Sequence, residues 1–273
     1  MKTLCIYHGN CDDGFGAAYA VWKKFGAEVE YYPAMHGQSP PDVTDRDVIM
    51  VDFSYKRPVL LPMLAQCKSM LILDHHKTAE ADLSSIEDPK LTVVFDMERS
   101  GSIITWDHFH SKETRPQLLM YVQDHDLWIK KLNYTDAVSV ALRSYPQEFG
   151  LWDTLDVHAL ATEGTHIQRY YRTIVDEMKT KASMFVWKGH TVPVVNAPYF
   201  MASDVAGELS EGHPFAATYS VEADGSITYS LRSREDGIDV SEIAKSYGGG
   251  GHFHAAGCQV PLMVHNDIVG KSV

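Results

Sequence analysis

The sequence predicts an α/β protein: an N-terminal parallel sheet with helices on both faces, joined by a helical linker to a smaller C-terminal α/β domain. Three observations predict it. In the first 110 residues short apolar runs alternate with helical stretches, the pattern of right-handed βαβ crossovers. The middle of the chain is helical in period. Beyond Lys188-Gly189 the periodicity shortens to that of strands. The expected boundaries are residues 1–150 for the first domain, 151–188 for the linker and 189–273 for the second domain.

Taken in order, Thr3 to Tyr7 reads as a buried strand, Gly14 to Phe25 as a helix with an Ala-rich packing face, and Glu28 to Tyr32 as a second strand. Asp47 to Val51 and Ser69 to Leu73 are apolar strands separated by a helix with Pro58 in its first turn. Leu91 to Phe95 adds a strand, and Ser100 to His110 a helix. Thr114 to Tyr145 is helical in pattern, and Leu151 to Met184 forms a long amphipathic helix with Ile167, Tyr170, Tyr171, Ile174 and Met178 on one stripe. Strands follow at Thr191 to Val195, Phe215 to Val221 and Ser226 to Leu231, the last two joined by an Asp224-Gly225 hairpin signal. A helix over Asp239 to Tyr247 then meets four consecutive glycines.

Composition narrows the function classes. With 273 residues, 45% of them hydrophobic and 22% charged, the chain can bury a large core, and disordered and fibrous classes drop out. No window approaches the roughly 18 apolar residues of a membrane span, and the apolar stretch near Met1 is too short for a signal-peptide core, so a soluble cytoplasmic protein is expected. Cys5, Cys11, Cys67 and Cys258 are scattered without a Cys-x-x-Cys pair, so reduced thiols are expected. A net charge of −12 argues against holding long duplex nucleic acid by counter-ion release, yet is compatible with a small anionic substrate.

The chemistry sits where apolar strands end. His8 with Cys11-Asp12-Asp13-Gly14, then Asp52, then Asp74-His75-His76 each follow such a run, and in an open parallel sheet strand carboxyl ends line one edge. Carboxylates gathered there repel one another without a cation. Mixed Asp and His donors suit Mn²⁺ better than all-oxygen Mg²⁺ or thiolate-favouring Zn²⁺, and so many donors suggest two divalent ions. Two ions about 3.5–4 Å apart need a bridging carboxylate, for which Asp52 and Asp124 are the candidates. His8, Asp13 and Asp12 open the site, Gly14 is expected to turn the chain tightly, and Asp124 or Asp126 supplies a later donor. Neighbouring residues at a strand end point to opposite sides, so His75 is assigned to metal and His76 to substrate phosphate or leaving-group protonation. Asp74 is expected to orient a ligand.

In the second half, Gly248 to Gly251 could bring N–H groups up to an anion, with His252 adding a donor. Arg232-Ser233-Arg234 at a strand end would give planar donors to phosphate. Arg99-Ser100-Gly101-Ser102 reads as a helix start that caps itself or touches phosphate.

Together, His8…Asp13-Gly14, Val51-Asp52, Asp74-His75-His76, Asp124 and Gly248-Gly249-Gly250-Gly251-His252…Ala255-Ala256-Gly257 resemble the DHH phosphoesterases that carry a C-terminal DHHA1 domain. The resemblance runs nearly the whole chain in the right order. His-x-x-Cys-x-Asp-Gly at the start and Asp-x-Asp-Leu-Trp in the middle look most like the nano-RNase B type. Many members read His-x-x-x-Asp-x-Asp, whereas here Asp12 stands at the first Asp position and Asp13 one residue short of the second.

The resemblance implies a metal-dependent phosphodiesterase that hydrolyses dinucleotides or short oligonucleotides from the 3′ end by attack of a metal-activated hydroxide. Two divalent ions are implied, Mn²⁺ first and Mg²⁺ or Co²⁺ as alternatives. It implies His8, Asp13, Asp52, His75 and Asp124 as ligands, with Asp12 as an additional donor, and Arg232, Ser233, Gly249, Gly250, Gly251 and His252 as the nucleotide-holding set. The rival readings are a phosphatase of 3′-phosphoadenosine 5′-phosphate or another small phosphoester, and a nucleotide sensor without turnover. Whether the chain forms a homodimer is left open.

Overall fold

A computed structural model of the protein describes residues 3–270. The chain divides into two compact units between Gln168 and Arg169. In the first, strands β1 (Thr3–His8), β2 (Val29–Ala34), β3 (Asp47–Val51), β4 (Ser69–Asp74) and β5 (Leu91–Phe95) form one sheet in the order β2-β1-β3-β4-β5. Every pairing is parallel. Strict alternation sorts the apolar side chains between two cores. Cys5, Tyr7, Ile49, Val51 and Leu73 face one side, while Leu4, Ile6, Val48, Met50, Met70 and Ile72 face the other.

Helices cover both faces. Phe15 and Val21 of α1 (Asp12–Phe25), Ile103 of α4 (Gly101–Phe109), Leu119 of α5 (Gln117–Asp126), Val138 of α6 (Thr135–Leu142) and Trp152 of α7 (Phe149–Trp152) pack on the first. Leu60 and Leu64 of α2 (Arg57–Gln66), with Leu83 of α3 (Lys77–Leu83), pack on the second. The strand order reverses between β1 and β3, so a crevice opens beyond their carboxyl ends. His8, Asp52 and Asp74-His75-His76 stand at that edge.

The long helix α8 (Val157–Thr180) spans the division. It is shorter than the sequence pattern suggested, because Asp156 accepts the Ala159 N–H at 2.8 Å and fixes its start. The second unit holds β6 (Ser183–Trp187), β7 (His190–Asn196), α9 (Ala202–Leu209), β8 (Ala216–Val221), β9 (Ile227–Arg232), α10 (Val240–Lys245), β10 (Gly250–Gly251), β11 (Ala255–Val260) and α11 (Leu262–Val269). Its sheet runs β10-β11-β9-β8-β7-β6, antiparallel except for β7 with β8.

Lys188-Gly189, taken as the end of a linker, is the two-residue turn of a β6–β7 hairpin, with φ of 50° and 83° as a primed turn requires. Residues 183–187 therefore belong to the second sheet, where Trp187 is buried among Phe215, Tyr229 and Val192. Among the described residues, no helix is long and apolar enough to cross a membrane.

Candidate metal centre

The site is built by close approach of a helix to a strand end. Gly14 lies inside α1 rather than in a turn, and a Cβ there would stand 2.2 Å from the His8 carbonyl oxygen. A side chain is excluded by that contact, which lets α1 start directly under β1 and buries Asp13. The Asp13 carboxylate accepts the N–H of Gly101 at 2.6 Å and of Ser102 at 3.1 Å, the first residues of α4. A helix amino terminus favours an anion, so α4 serves to hold Asp13. Arg99 does not reach into the site; it pairs with Asp96 and Asp107.

Asp52 is seated by the same helix. A Cβ on Gly101 would come within 2.5 Å of Asp52 Cβ, so only glycine fits between α4 and the end of β3. Asp52 itself has φ of 51°, a left-handed conformation that Asp tolerates better than most residues. Its N–H donates to Leu73 O at 2.9 Å, extending the ladder by one bond before the chain turns.

The two carboxylate oxygens of Asp52 face different partners. Oδ1 is 3.1 Å from His75 Nε2, while Oδ2 is 3.5 Å from His8 Nδ1 and 3.7 Å from Cys11 Sγ. His75 Nε2 also stands 3.7 Å from Asp13 Oδ2 and 3.6 Å from Asp126 Oδ2. Donor atoms of His8, Cys11 and Asp52 lie within 4.8 Å of one another, as do those of Asp13, His75 and Asp126, and those of Asp52, Asp74 and His76. Acidic and imidazole groups that could hold metal are thus gathered at one sheet edge.

The electrostatics follow from crowding. Burial, with the charges of Asp52 and Asp126, pushes the Asp13 carboxyl up to about 8. Burial opposes a charged His75, but its Asp52 hydrogen bond and the Asp126, Asp52 and Asp13 charges overcome this and push it up to about 10. Asp52 is also buried, yet hydrogen bonds from His75 and His8 hold it well below the usual carboxylate range. In the metal-free protein, protons therefore neutralise a site that is otherwise too acidic.

Asp74 orients its neighbours. Its Oδ1 accepts the N–H of His75 at 2.7 Å and lies 2.6 Å from His76 Nδ1, fixing which way the His76 ring turns. Its Oδ2 is buried with no hydrogen-bond partner among the described residues.

In the second unit, Arg232 at the end of β9 donates to Leu231 O and to Ser203 Oγ, and Ser233 Oγ lies 3.0 Å from His254 Nδ1. The glycine run differs from an open anion loop. Gly249 N–H donates to Ala244 O at 2.9 Å, closing α10, and Gly250 and Gly251 pair with Gly257 and Ala256 of β11. His252 N–H donates to Ala255 O at 2.7 Å. Of the glycine N–H groups expected to face an anion, those of Gly248 and Gly249 instead donate to Lys245 O and Ala244 O at the end of α10.

The DHHA1 domain family matches residues 199–269 of this second unit. Residues 199–269 therefore carry a DHHA1 domain. Uncharacterized protein R106 of Acanthamoeba polyphaga mimivirus is 33% identical over 283 residues, covering 93% of this chain and 66% of the viral one. Oligoribonuclease NrnB of Bacillus subtilis is 29% identical over 227 residues, covering 74% of this chain and 55% of NrnB. The chain therefore spans between about half and two thirds of the length of these relatives. Among solved structures, the DHH domain of PF0399, described as a member of the s1p family of ribosomal proteins, shares the fold with a TM-score of 0.55 at 10% identity, over 98% of this chain and 85% of that one.

In the first unit, the structure brings His8, Asp13, Asp52, His75 and His76 together and places two expected donors elsewhere. Asp12 turns toward Arg143, whose Nε is 3.7 Å from its Oδ2, and lies outside the three donor groups. Asp124, expected as a bridging ligand, is occupied by a loop. It accepts Lys131 N–H and Leu132 N–H, both at 3.0 Å, and the Thr135 hydroxyl. Asp126, the alternative, is the carboxylate that reaches His75. Sequence reasoning gave Cys11 no role, although it lies in the same segment as His8 and Asp13. It also passed over His36, whose ring centroid is 5.5 Å from that of His8 and 4.8 Å from that of Phe53. No local pattern marks His36; only the packing of the loop after β2 brings it there.

Proposed function

We propose that this chain is a metal-dependent phosphodiesterase that hydrolyses dinucleotides and short oligonucleotides. One observation carries the reading: the oxygens of Asp52 are divided between a His8–Cys11 group and a His75 group, the arrangement that a bridging carboxylate needs. The residues fit a pair of divalent ions. Carboxylates crowd one edge, and the buried Asp74 Oδ2 lacks a partner among the described residues. Carboxylate and imidazole donors suit manganese, with magnesium and cobalt as alternatives. Ions held here would polarise a phosphoryl oxygen and supply a nucleophile at neutral pH.

The side chains divide the remaining work. His8 and Asp52 hold one position, and Asp13, His75 and Asp126 the other. Asp13 is kept in place by α4, so its geometry does not depend on the ligand it holds. His76 is turned by Asp74 so that its Nε2 can contact a phosphate or give a proton to the departing oxygen. Arg232, Ser233, Gly249, Gly250, Gly251 and His252 are proposed to hold the nucleotide, with Arg232, Ser233 and His252 contributing side-chain donors and the glycines close approach of the backbone. The oligoribonuclease activity in the name of NrnB agrees with this reading.

The test is cleavage of a labelled dinucleotide with Mn²⁺, Mg²⁺ or Co²⁺, beside 3′-phosphoadenosine 5′-phosphate, cyclic dinucleotides and a five-mer. Asp52→Asn and His75→Ala should abolish metal-dependent cleavage while circular dichroism stays native. Full activity in either variant would overturn the assignment. Cleavage of the phosphoadenosine alone would replace the diesterase reading by a monoesterase one, and tight nucleotide binding without product would make the protein a sensor.

A further inference from the structure

We infer that Cys11 is a metal ligand and that its sulfur makes the His8–Cys11–Asp52 position selective for softer ions than manganese. The inference rests on the proposed metal-dependent reading and refines the donor set of one of its two positions. Cys11 Sγ and His8 Nδ1 approach the same oxygen, Asp52 Oδ2, at 3.7 and 3.5 Å, and the three donor atoms lie within 4.8 Å of one another. His8 ends β1 and Cys11 lies just before α1, and folding brings Asp52, 41 residues on and just past β3, up to both.

The other three cysteines behave differently. Cys5, Cys67 and Cys258 are each buried within an apolar core. They pack as small hydrophobic groups, as free cysteine commonly does. Cys11 alone points among carboxylates and imidazoles. Its thiol donates weakly to Asp52 Oδ2 at 3.7 Å, and burial with the surrounding carboxylate charges keeps it protonated unless a cation offsets them. A second observation indicates a cation on the same carboxylate. Asp74 Oδ2, fully buried and unpartnered among the described residues, belongs to a donor group that shares Asp52.

Binding would exchange one bond for another: the S–H bond breaks, a sulfur–metal bond forms, and the proton leaves to solvent. A thiolate beside imidazole and carboxylate favours zinc, cobalt or iron over manganese and magnesium. The neighbouring Asp13–His75–Asp126 position keeps only oxygen and nitrogen donors. The two positions would then differ in the ion they prefer.

The test is titration of the full chain with Co²⁺ under reducing conditions, followed by absorption and calorimetry. Wild type should develop the near-ultraviolet thiolate-to-cobalt charge-transfer band. Cys11→Ser should lose the band and release about one proton fewer per cobalt bound, whereas Cys67→Ser should keep both. Cys11→Asp should shift the preference toward Mn²⁺ over Zn²⁺ by about tenfold or more. Cobalt that binds wild type in an Asp52-dependent manner without the band, or a band that survives Cys11→Ser, would overturn the role of Cys11 and leave the metal-dependent reading standing. Failure of wild type to bind Co²⁺, Zn²⁺ or Mn²⁺ at all would overturn both.

Discussion

Asp124→Asn and Asp126→Asn change carboxylates two residues apart and should have opposite consequences. Asp124 Oδ1 accepts the Lys131 N–H at 3.0 Å, and Oδ2 accepts the Leu132 N–H at 3.0 Å together with the Thr135 hydroxyl. Asparagine keeps one acceptor oxygen, which can face Leu132 and Thr135, and sets its amide nitrogen against the Lys131 N–H. Hydrogen bonds to charged groups contribute about 1.5–3 kcal/mol each, so losing one outright and leaving the Lys131 N–H unpaired amounts to about 2–4 kcal/mol. The loop has little freedom to relax, since Trp128, Lys130 and Tyr134 already hold φ of 56°, 49° and 68°. At about 2–4 °C per kcal/mol, the midpoint should fall by roughly 5–15 °C, while Mn²⁺ still binds below the transition. Asp126 makes no such bonds to a loop; desolvation within the cluster and the Asp52 charge raise its pKa against the pull of His75, but its side chain is 30% exposed, so its ionised form adds little or nothing to the stability of the metal-free fold. Asp126→Asn should therefore leave the metal-free midpoint unchanged or higher. Removing a unit charge beside a divalent ion forfeits several kcal/mol of attraction even at an effective dielectric of ~20, so Mn²⁺ affinity should drop about a hundredfold or more. Thermal denaturation with and without Mn²⁺, paired with calorimetric titration, reads both quantities. Loss of metal binding in Asp124→Asn with an unchanged midpoint, or wild-type Mn²⁺ affinity in Asp126→Asn, would refute the placement.

Gly101→Ala forces a Cβ to within 2.5 Å of Asp52 Cβ and 2.9 Å of its Cα; urea denaturation should show a loss of about 1–3 kcal/mol, with weakened Mn²⁺ binding. Without metal, Asp13 is pushed up to about 8 and His75 up to about 10, so both hold protons at neutral pH that an ion must displace. Apparent Mn²⁺ affinity should accordingly rise from about pH 6 to about pH 8 with release of protons, and calorimetry in two buffers of different ionisation enthalpy checks this; a pH-independent affinity would contradict it. Gly189→Val should destabilise the second unit, because a β-branched residue resists the φ of 83° that the β6–β7 turn requires, and denaturation followed by Trp187 fluorescence should report it.

Much of this site was legible before any tertiary contact was known. Continuous apolar runs ending in Asp52 and Asp74-His75-His76 mark both the strands and the edge at which their polar ends emerge, since a strand buried on both faces is apolar throughout whatever its partners are. The tertiary structure decided among neighbours. Asp124 and Asp126 are two steps apart at the end of α5, about 200° around the helix, so one faces the loop and the other faces His75. Asp12 and Asp13 open α1 in the same way, one toward Arg143 and the other onto the start of α4. Cys11 and His36 acquire their neighbours only when separate segments pack, and the β6–β7 hairpin shows as sheet only through its pairing. Local periodicity sets which residues reach an edge, whereas the direction each side chain takes there depends on contacts distant in the chain.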